Sequence, residues 1–164
     1  MRTLYLLRHA KSDWGDPAVA DRDRPLNARG RRDAPRIGRL LARETPAPEF
    51  ILCSPAVRTR QTLDLLCRAM AGSPTIRLDE RIYDAPVGAL MDALTESPDS
   101  APAVLLVGHN PGIPGLIERL TGEPVRVPTA TLARIELDAD RWSDLAAGAG
   151  RLTAIWRPKE LDDD

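Results

Sequence analysis

The stretch Leu4-Tyr5-Leu6-Leu7-Arg8-His9 decides how the rest of the chain is read. Four apolar residues that suit strands end abruptly in two polar side chains. Residues 4–7 are therefore predicted to form a buried strand that delivers Arg8 and His9 to its carboxyl end. That is the edge at which open α/β sheets bind ligands. Taken alone, the six residues fit equally well a first strand that happens to be followed by two basic side chains.

Two further segments repeat the pattern. Phe50-Ile51-Leu52-Cys53 is a second short apolar run, and Ser54 and Pro55 after it suit the N-cap and first turn of a helix. That helix carries Leu63, Leu66 and Met70 on one face and is expected to stop at Gly72, with Pro74 beyond. Its first turn holds Arg58, where a cation opposes the helix dipole by roughly 0.3–1 kcal/mol. An anion nearby would account for it. Ala103 to Val107 is another buried strand and runs into Gly108, His109, Asn110, Pro111 and Gly112. Asn110 is expected to cap a helix that begins at Pro111 and runs to about Leu120.

Between these segments, residues 11–27 are polar, contain two prolines and show no period, which predicts a loop overhanging the first strand's end. Residues 28–44 have helical spacing at Ile37, Leu40 and Leu41, with Asn27 or Asp33 as N-cap. Pro35 is expected to break this helix. Arg22, Arg24, Arg29, Arg31, Arg32, Arg36, Arg39 and Arg43 make the region basic, either as a solvated face or as a surface for an acidic partner. Thr75–Leu78 suits a third strand, and Val87–Thr95 a helix. Residues 131–137 and 151–156 alternate and should close the sheet. Strands alternating with helices predict an α/β fold with one domain over 1–158, and the acidic end, 159–164, is expected to be disordered.

Composition narrows the function. The 164 residues carry a net charge of −1, which points away from nucleic acid as a partner. Lys11 and Lys159 are the only lysines among 23 basic residues, a bias that reflects codon usage, so each arginine is not read as a phosphate ligand. No apolar stretch approaches the ~20 residues of a membrane span, and the opening residues have too short an apolar core for a signal peptide. The expected location is the cytoplasm. Cys53 and Cys67 lack the spacing of a disulfide framework or a zinc site.

The chain has two histidines, and both fall within two residues of the end of a predicted buried strand. Arg58 follows a third such strand. Strand ends and helix N-termini thus converge on one edge with two imidazoles and two guanidiniums, a composition suited to a phosphoryl group. A metal is the other use of two histidines, but no Cys, Asp or Glu stands at tetrahedral spacing. A cysteine phosphatase loop, with arginine six positions after the cysteine, would need arginine at position 59, which is Thr59.

The motifs Leu7-Arg8-His9-Ala10 with Ser12, Leu26 to Gly30, Ser54 to Arg58, and Gly108-His109-Asn110 resemble the histidine phosphatase superfamily, also called phosphoglycerate mutase-like. The resemblance covers roughly the first 120 residues. The opening from Arg8 to Trp14, the stretch from Asp21 to Gly38 and the short length are most similar to the SixA-type phosphohistidine phosphatases. It implies a three-layer sandwich with a mostly parallel central sheet flanked by helices. It also implies that His9 is the nucleophile and is transiently phosphorylated while Arg8, Arg58 and His109 hold the phosphoryl oxygens, with no metal or cofactor.

Physical chemistry asks for the same roles. An imidazole with pKa ~6.5 is largely neutral at cytoplasmic pH and offers a lone pair, and positive donors stabilise the transferring group. In the superfamily a carboxylic acid often protonates the leaving group, and Glu80 resembles the position that carries it. Ser12 and Asn27 are further candidates for phosphate binding. The implied substrate is a phosphohistidine-bearing protein. The alternatives are a small phosphorylated substrate, for a phosphomonoesterase or mutase of the same superfamily, or phosphate binding without turnover.

Overall fold

In the computed structural model, residues 1–161 are described. Leu4 to Leu7 lie in strand β1 (Arg2–Arg8) and are fully buried because both faces of that strand are covered. Leu4 and Leu6 belong to one core and Tyr5 and Leu7 to the other. An unbroken apolar run is what such a doubly covered strand requires.

Five further strands join β1: β2 (Phe50–Cys53), β3 (Thr75–Leu78), β4 (Ala103–Gly108), β5 (Leu132–Leu137) and β6 (Gly150–Trp156). The sheet order is β3-β2-β4-β1-β5-β6. The first four are parallel to one another, while β5 and β6 add antiparallel. Helices α1 (Ala28–Leu41) and α2 (Val57–Ala69) cover one face through Ile37, Leu41, Leu63 and Leu66. Helices α3 (Val87–Thr95) and α4 (Gly112–Thr121) cover the other through Leu90, Leu94, Ile113 and Leu116. The result is the three-layer α/β sandwich, with a mostly parallel sheet. No helix among the described residues is long and apolar enough to cross a membrane.

Local expectations need four corrections. Helix α1 runs as one element through Pro35. An interior proline costs about 3 kcal/mol, but burial of Ile37 and Leu41 contributes about 1.5–3 kcal/mol each, and packing wins. Asn27 is the N-cap, its Oδ1 accepting from Gly30 N at 2.9 Å, whereas Asp33 is buried between Arg29 and Arg36. Helix α2 starts only at Val57 without a side-chain cap; Ser54 lies ahead of it, its Oγ accepting from Ala56 N at 3.3 Å and paired with His109. Asn110 does not cap α4 either, since its Nδ2 donates to the Val127 carbonyl at 2.9 Å. At the end of the chain, Pro158–Glu160 form a 3-10 turn and Leu161 packs against the core, so the tail expected to be disordered from 159 is ordered to 161. Its remainder, 162–164, lies outside the described residues.

Candidate active site

β1 and β4 pair in parallel register up to Arg8 and Gly108, which sets His9 and His109 side by side. Their ring centroids are 5.3 Å apart. β2 ends on the same edge, and the first turn of α2 brings Arg58 between the two rings. Its Nε reaches His9 Nε2 at 3.4 Å and its Nη2 reaches His109 Nδ1 at 3.3 Å. Arg8, His9, Arg58 and His109 all line one cavity of about 190 Å³.

His9, Arg58 and His109 are each at most 8% exposed. Burial, the largest influence, pushes His9 down to about 3 and His109 down to about 4, with neighbouring cations adding to it. Both imidazoles are therefore neutral near pH 7. His9 Nδ1 lies 2.7 Å from the Ala10 carbonyl. A carbonyl only accepts, so Nδ1 carries the proton and Nε2 holds the lone pair on the Arg58 side. Arg58 donates to His109 Nδ1, so His109 carries its proton on Nε2, 2.7 Å from Ser54 Oγ. Arg8 donates to the Val127 carbonyl at 3.2 Å, and its Nε is buried without a hydrogen-bond partner. Such a donor suits an oxyanion.

The loop over 11–27 forms the rim. It is pinned by the Ser12–Leu26 bridge, by Asp13 N to Pro25 O at 2.8 Å and by Asn27 N to Lys11 O at 3.0 Å. Lys11, Ser12, Trp14 and Arg24 line the cavity from this side. Arg24, one of the arginines read as a solvated face or a surface for an acidic partner, is instead buried, donating to Ser12 Oγ at 2.8 Å and to Asp21 Oδ1 at 3.0 Å. Its guanidinium lies 3.4 Å from the centroid of the Trp14 ring. Ser12 thus reaches the cavity with its oxygen accepting from Arg24, which leaves its O–H to donate. Asn27 does not line it and serves as a helix cap.

Glu80 is not brought to the site. It sits in the turn Glu80–Ile82, is mostly exposed, does not line the cavity and is paired with Arg22 through both carboxylate oxygens. Arg22 holds its carboxyl below the ordinary range, whereas a general acid needs it raised. The turn buries Ile82 instead, and the residue from this segment that reaches the site is Tyr83. Its ring meets His109 edge-on at 5.5 Å, and its hydroxyl donates to Asp21 Oδ2 at 2.5 Å. Asp21 also accepts from Arg58 Nη2 at 3.2 Å, and these contacts, the Tyr83 hydrogen bond foremost, draw its carboxyl down to about 2.

The cysteine alternative fails on burial. Cys53 packs in the core under α1 and α2, and burial pushes its thiol up to about 12. A larger hollow of about 430 Å³, lined by Arg36, Arg39, Arg43, Glu44 and Trp156 among others, shares no residue with the histidine cavity and is lined by no histidine or cysteine. Ser54, Asp21, Tyr83 and Trp14 were missed from sequence as site residues. Ser54 stands at a strand end but reads locally as a helix cap, and Asp21, Tyr83 and Trp14 lie away from the strand ends on which the sequence reading rests.

Residues 4–103 match the pattern of the histidine phosphatase superfamily, branch 1. The chain belongs to that superfamily. This histidine phosphatase is 31% identical to a protein of Nakamurella multipartitia named as a candidate phosphohistidine phosphatase SixA, whose structure superposes with a TM-score of 0.86 over 96% of both chains. A candidate SixA of Agrobacterium tumefaciens is 32% identical, with a TM-score of 0.82 over 96% of this chain and 98% of that one. An uncharacterised Mycobacterium tuberculosis protein, Rv1276c, is 33% identical over 93% of this chain and all of its own length. The histidine phosphatase here is thus of the SixA type. The family match ends before His109, so the part taken by His109 rests on the geometry above.

Proposed function

We propose that this phosphatase passes a phosphoryl group first to Nε2 of His9 and then to water, and that its substrate is phosphohistidine on a protein. The observation that carries the reading is the tether of His9. With Nδ1–H held by the Ala10 carbonyl, the neutral ring presents its Nε2 lone pair beside Arg58. In the first step that lone pair bonds to phosphorus while the bond from phosphorus to the leaving nitrogen breaks, and the leaving imidazole takes a proton from solvent. In the second, a water oxygen attacks phosphorus, the bond to Nε2 breaks with its electron pair returning to the ring, and inorganic phosphate leaves. Arg8, Arg58 and His109 surround the oxygens where charge spreads during both transfers.

The substrate class draws support from the cavity lining, which contains no Asp or Glu among the described residues. Asp21, the carboxylate nearest the arginines, is held at about 2 and stays ionised. A departing imidazole can be protonated by solvent, whereas an alkoxide needs an acid at hand. The two SixA relatives named above point the same way.

Rapid quenching with labelled phosphohistidine protein tests the reading. The wild type should carry a label that survives alkali and is lost in acid, His9→Ala should carry none, and Cys53→Ser should label normally. Phosphohistidine protein should be turned over faster than a phosphoserine peptide or sugar phosphates at equal concentration. Label that persists in His9→Ala, or a wild type without label or turnover, would reject it.

A further inference from the structure

We infer that Trp14, seated on Arg24 at the mouth of the cavity, is a stacking platform for the flat ring that carries the phosphoryl group. This rests on the phosphatase reading and adds a specificity element to it. Trp14 lines the same cavity as His9, yet it is 70% exposed. One face of its indole lies against the Arg24 guanidinium, 3.4 Å from the ring centroid. The exposure shows that the rest of the ring is left uncovered. The other exposed large apolar residues, Met1, Ile76 and Leu78, lie at the chain start and on the edge strand β3 and do not line the cavity.

The platform is rigid where it matters. Arg24 is itself buried and is fixed by Ser12 and by Asp21, so the floor under the indole does not depend on a substrate to order it. Residues 12 and 13 are tied to Leu26 and Pro25, and Gly15 N donates to Asp13 Oδ1 at 2.7 Å, which brackets Trp14 on both sides. An aromatic anchor held this way offers contact area at little cost in conformational entropy. Its chemistry selects planar partners, because offset stacking of rings adds to plain area burial. The ligand class that follows is a phosphoryl group borne on an imidazole or aryl ring, in preference to one on an aliphatic carbon.

Binding of non-hydrolysable probes tests this apart from turnover. Calorimetry would compare phenylphosphonate with methylphosphonate on the wild type, Trp14→Ala, Trp14→Leu and Trp14→Phe, each checked for folding by its melting curve. The wild type should prefer phenylphosphonate by roughly 2- to 12-fold, the range of one aromatic pair. Trp14→Ala and Trp14→Leu should erase the preference while shifting methylphosphonate less than about twofold, and Trp14→Phe should retain it. A preference unchanged in Trp14→Ala, or equal losses for both probes, would overturn the platform. A wild type that binds both probes but forms no phosphoryl-enzyme would instead reject the catalytic reading alone.

Discussion

Ser54 Oγ stands 2.7 Å from Nε2 of His109, while Nδ1 of the same ring faces Arg58 Nη2 at 3.3 Å. A hydroxyl can accept from Nε2–H or donate to a bare Nε2. In the free site His109 carries its proton on Nε2, because Arg58 occupies Nδ1. To donate to a phosphoryl oxygen it must carry a proton on Nδ1, and only a partner that can reverse its role accommodates both forms. Ser54 is therefore a positioning residue for His109.

Replacing Ser54 by alanine removes that partner and leaves a buried ring nitrogen unsatisfied. The expected loss is about tenfold in kcat, the size of one net hydrogen bond, with a smaller change in KM. Ser54→Thr, which keeps a hydroxyl, should recover most of it. Nitrogen chemical shifts of His109 provide the discriminating measurement. They should report a changed tautomer balance in Ser54→Ala and a near-normal one in Ser54→Thr. Unchanged shifts alongside the kinetic loss would make Ser54 merely structural.

Glu80→Gln should have little effect. The side chain is exposed, is paired with Arg22 and does not line the cavity, and exposed pairs of this kind contribute little. Turnover of both phosphohistidine and an alkyl phosphate should stay within about twofold of wild type. A loss confined to the alkyl phosphate would restore Glu80 as a general acid acting in another conformation.

What the sequence revealed follows from the range over which each signal acts. Leu4 to His9, Phe50 to Cys53 and Ala103 to His109 are local patterns, and a buried parallel strand is an apolar run whatever its neighbours do. The sandwich and the meeting of Arg8, His9, Arg58 and His109 were therefore legible. Caps were not, because one side chain has several uses: Asn110 turns to the Val127 carbonyl, and Ser54 serves His109 and Ala56 N ahead of the helix it was read as capping. Arg24 hid among many arginines that look alike until Ser12, Asp21 and Trp14 surround it. Pro35 misled for the opposite reason: its local cost is real but smaller than the packing of the helix that contains it.

The two histidines should make stability sensitive to mild acid. Burial holds them at about 3 and about 4 in the folded protein, against ~6.5 in the unfolded chain. Below pH 6.5 the unfolded chain binds protons that the folded one refuses, so stability falls as pH falls and is unaffected above that value. Between pH 6.5 and 5 free carboxylates, near 4, contribute little, so the slope belongs to the histidines. Urea unfolding should show about 1–2 kcal/mol lost per histidine over that interval, and His9→Asn with His109→Asn should flatten it. Imidazole titrations near 6.5 in the free protein would contradict the burial effect.

Gly30 ties the helix start to the rim loop, and its replacement should run against helix propensity. Alanine normally favours a helix over glycine by ~0.8–1.0 kcal/mol. A Cβ at Gly30, however, would stand 2.2 Å from the Lys11 carbonyl oxygen, which also accepts from Asn27 N at 3.0 Å. Backbone on both sides leaves no side chain to swing away, so Gly30→Ala should destabilise by about 1–3 kcal/mol, the usual cost of overpacking. It should also displace Lys11, Ser12 and Trp14 and weaken binding of phosphate-like anions. Gly88 in α3 is the control. A Cβ there meets nothing within 4 Å, so Gly88→Ala should raise stability, by up to about 1 kcal/mol. Urea midpoints moving in opposite directions for the two variants, with anion affinity falling only in Gly30→Ala, are the expected result. A gain in both would mean that the Lys11 loop yields without cost and is not fixed by the helix beneath it.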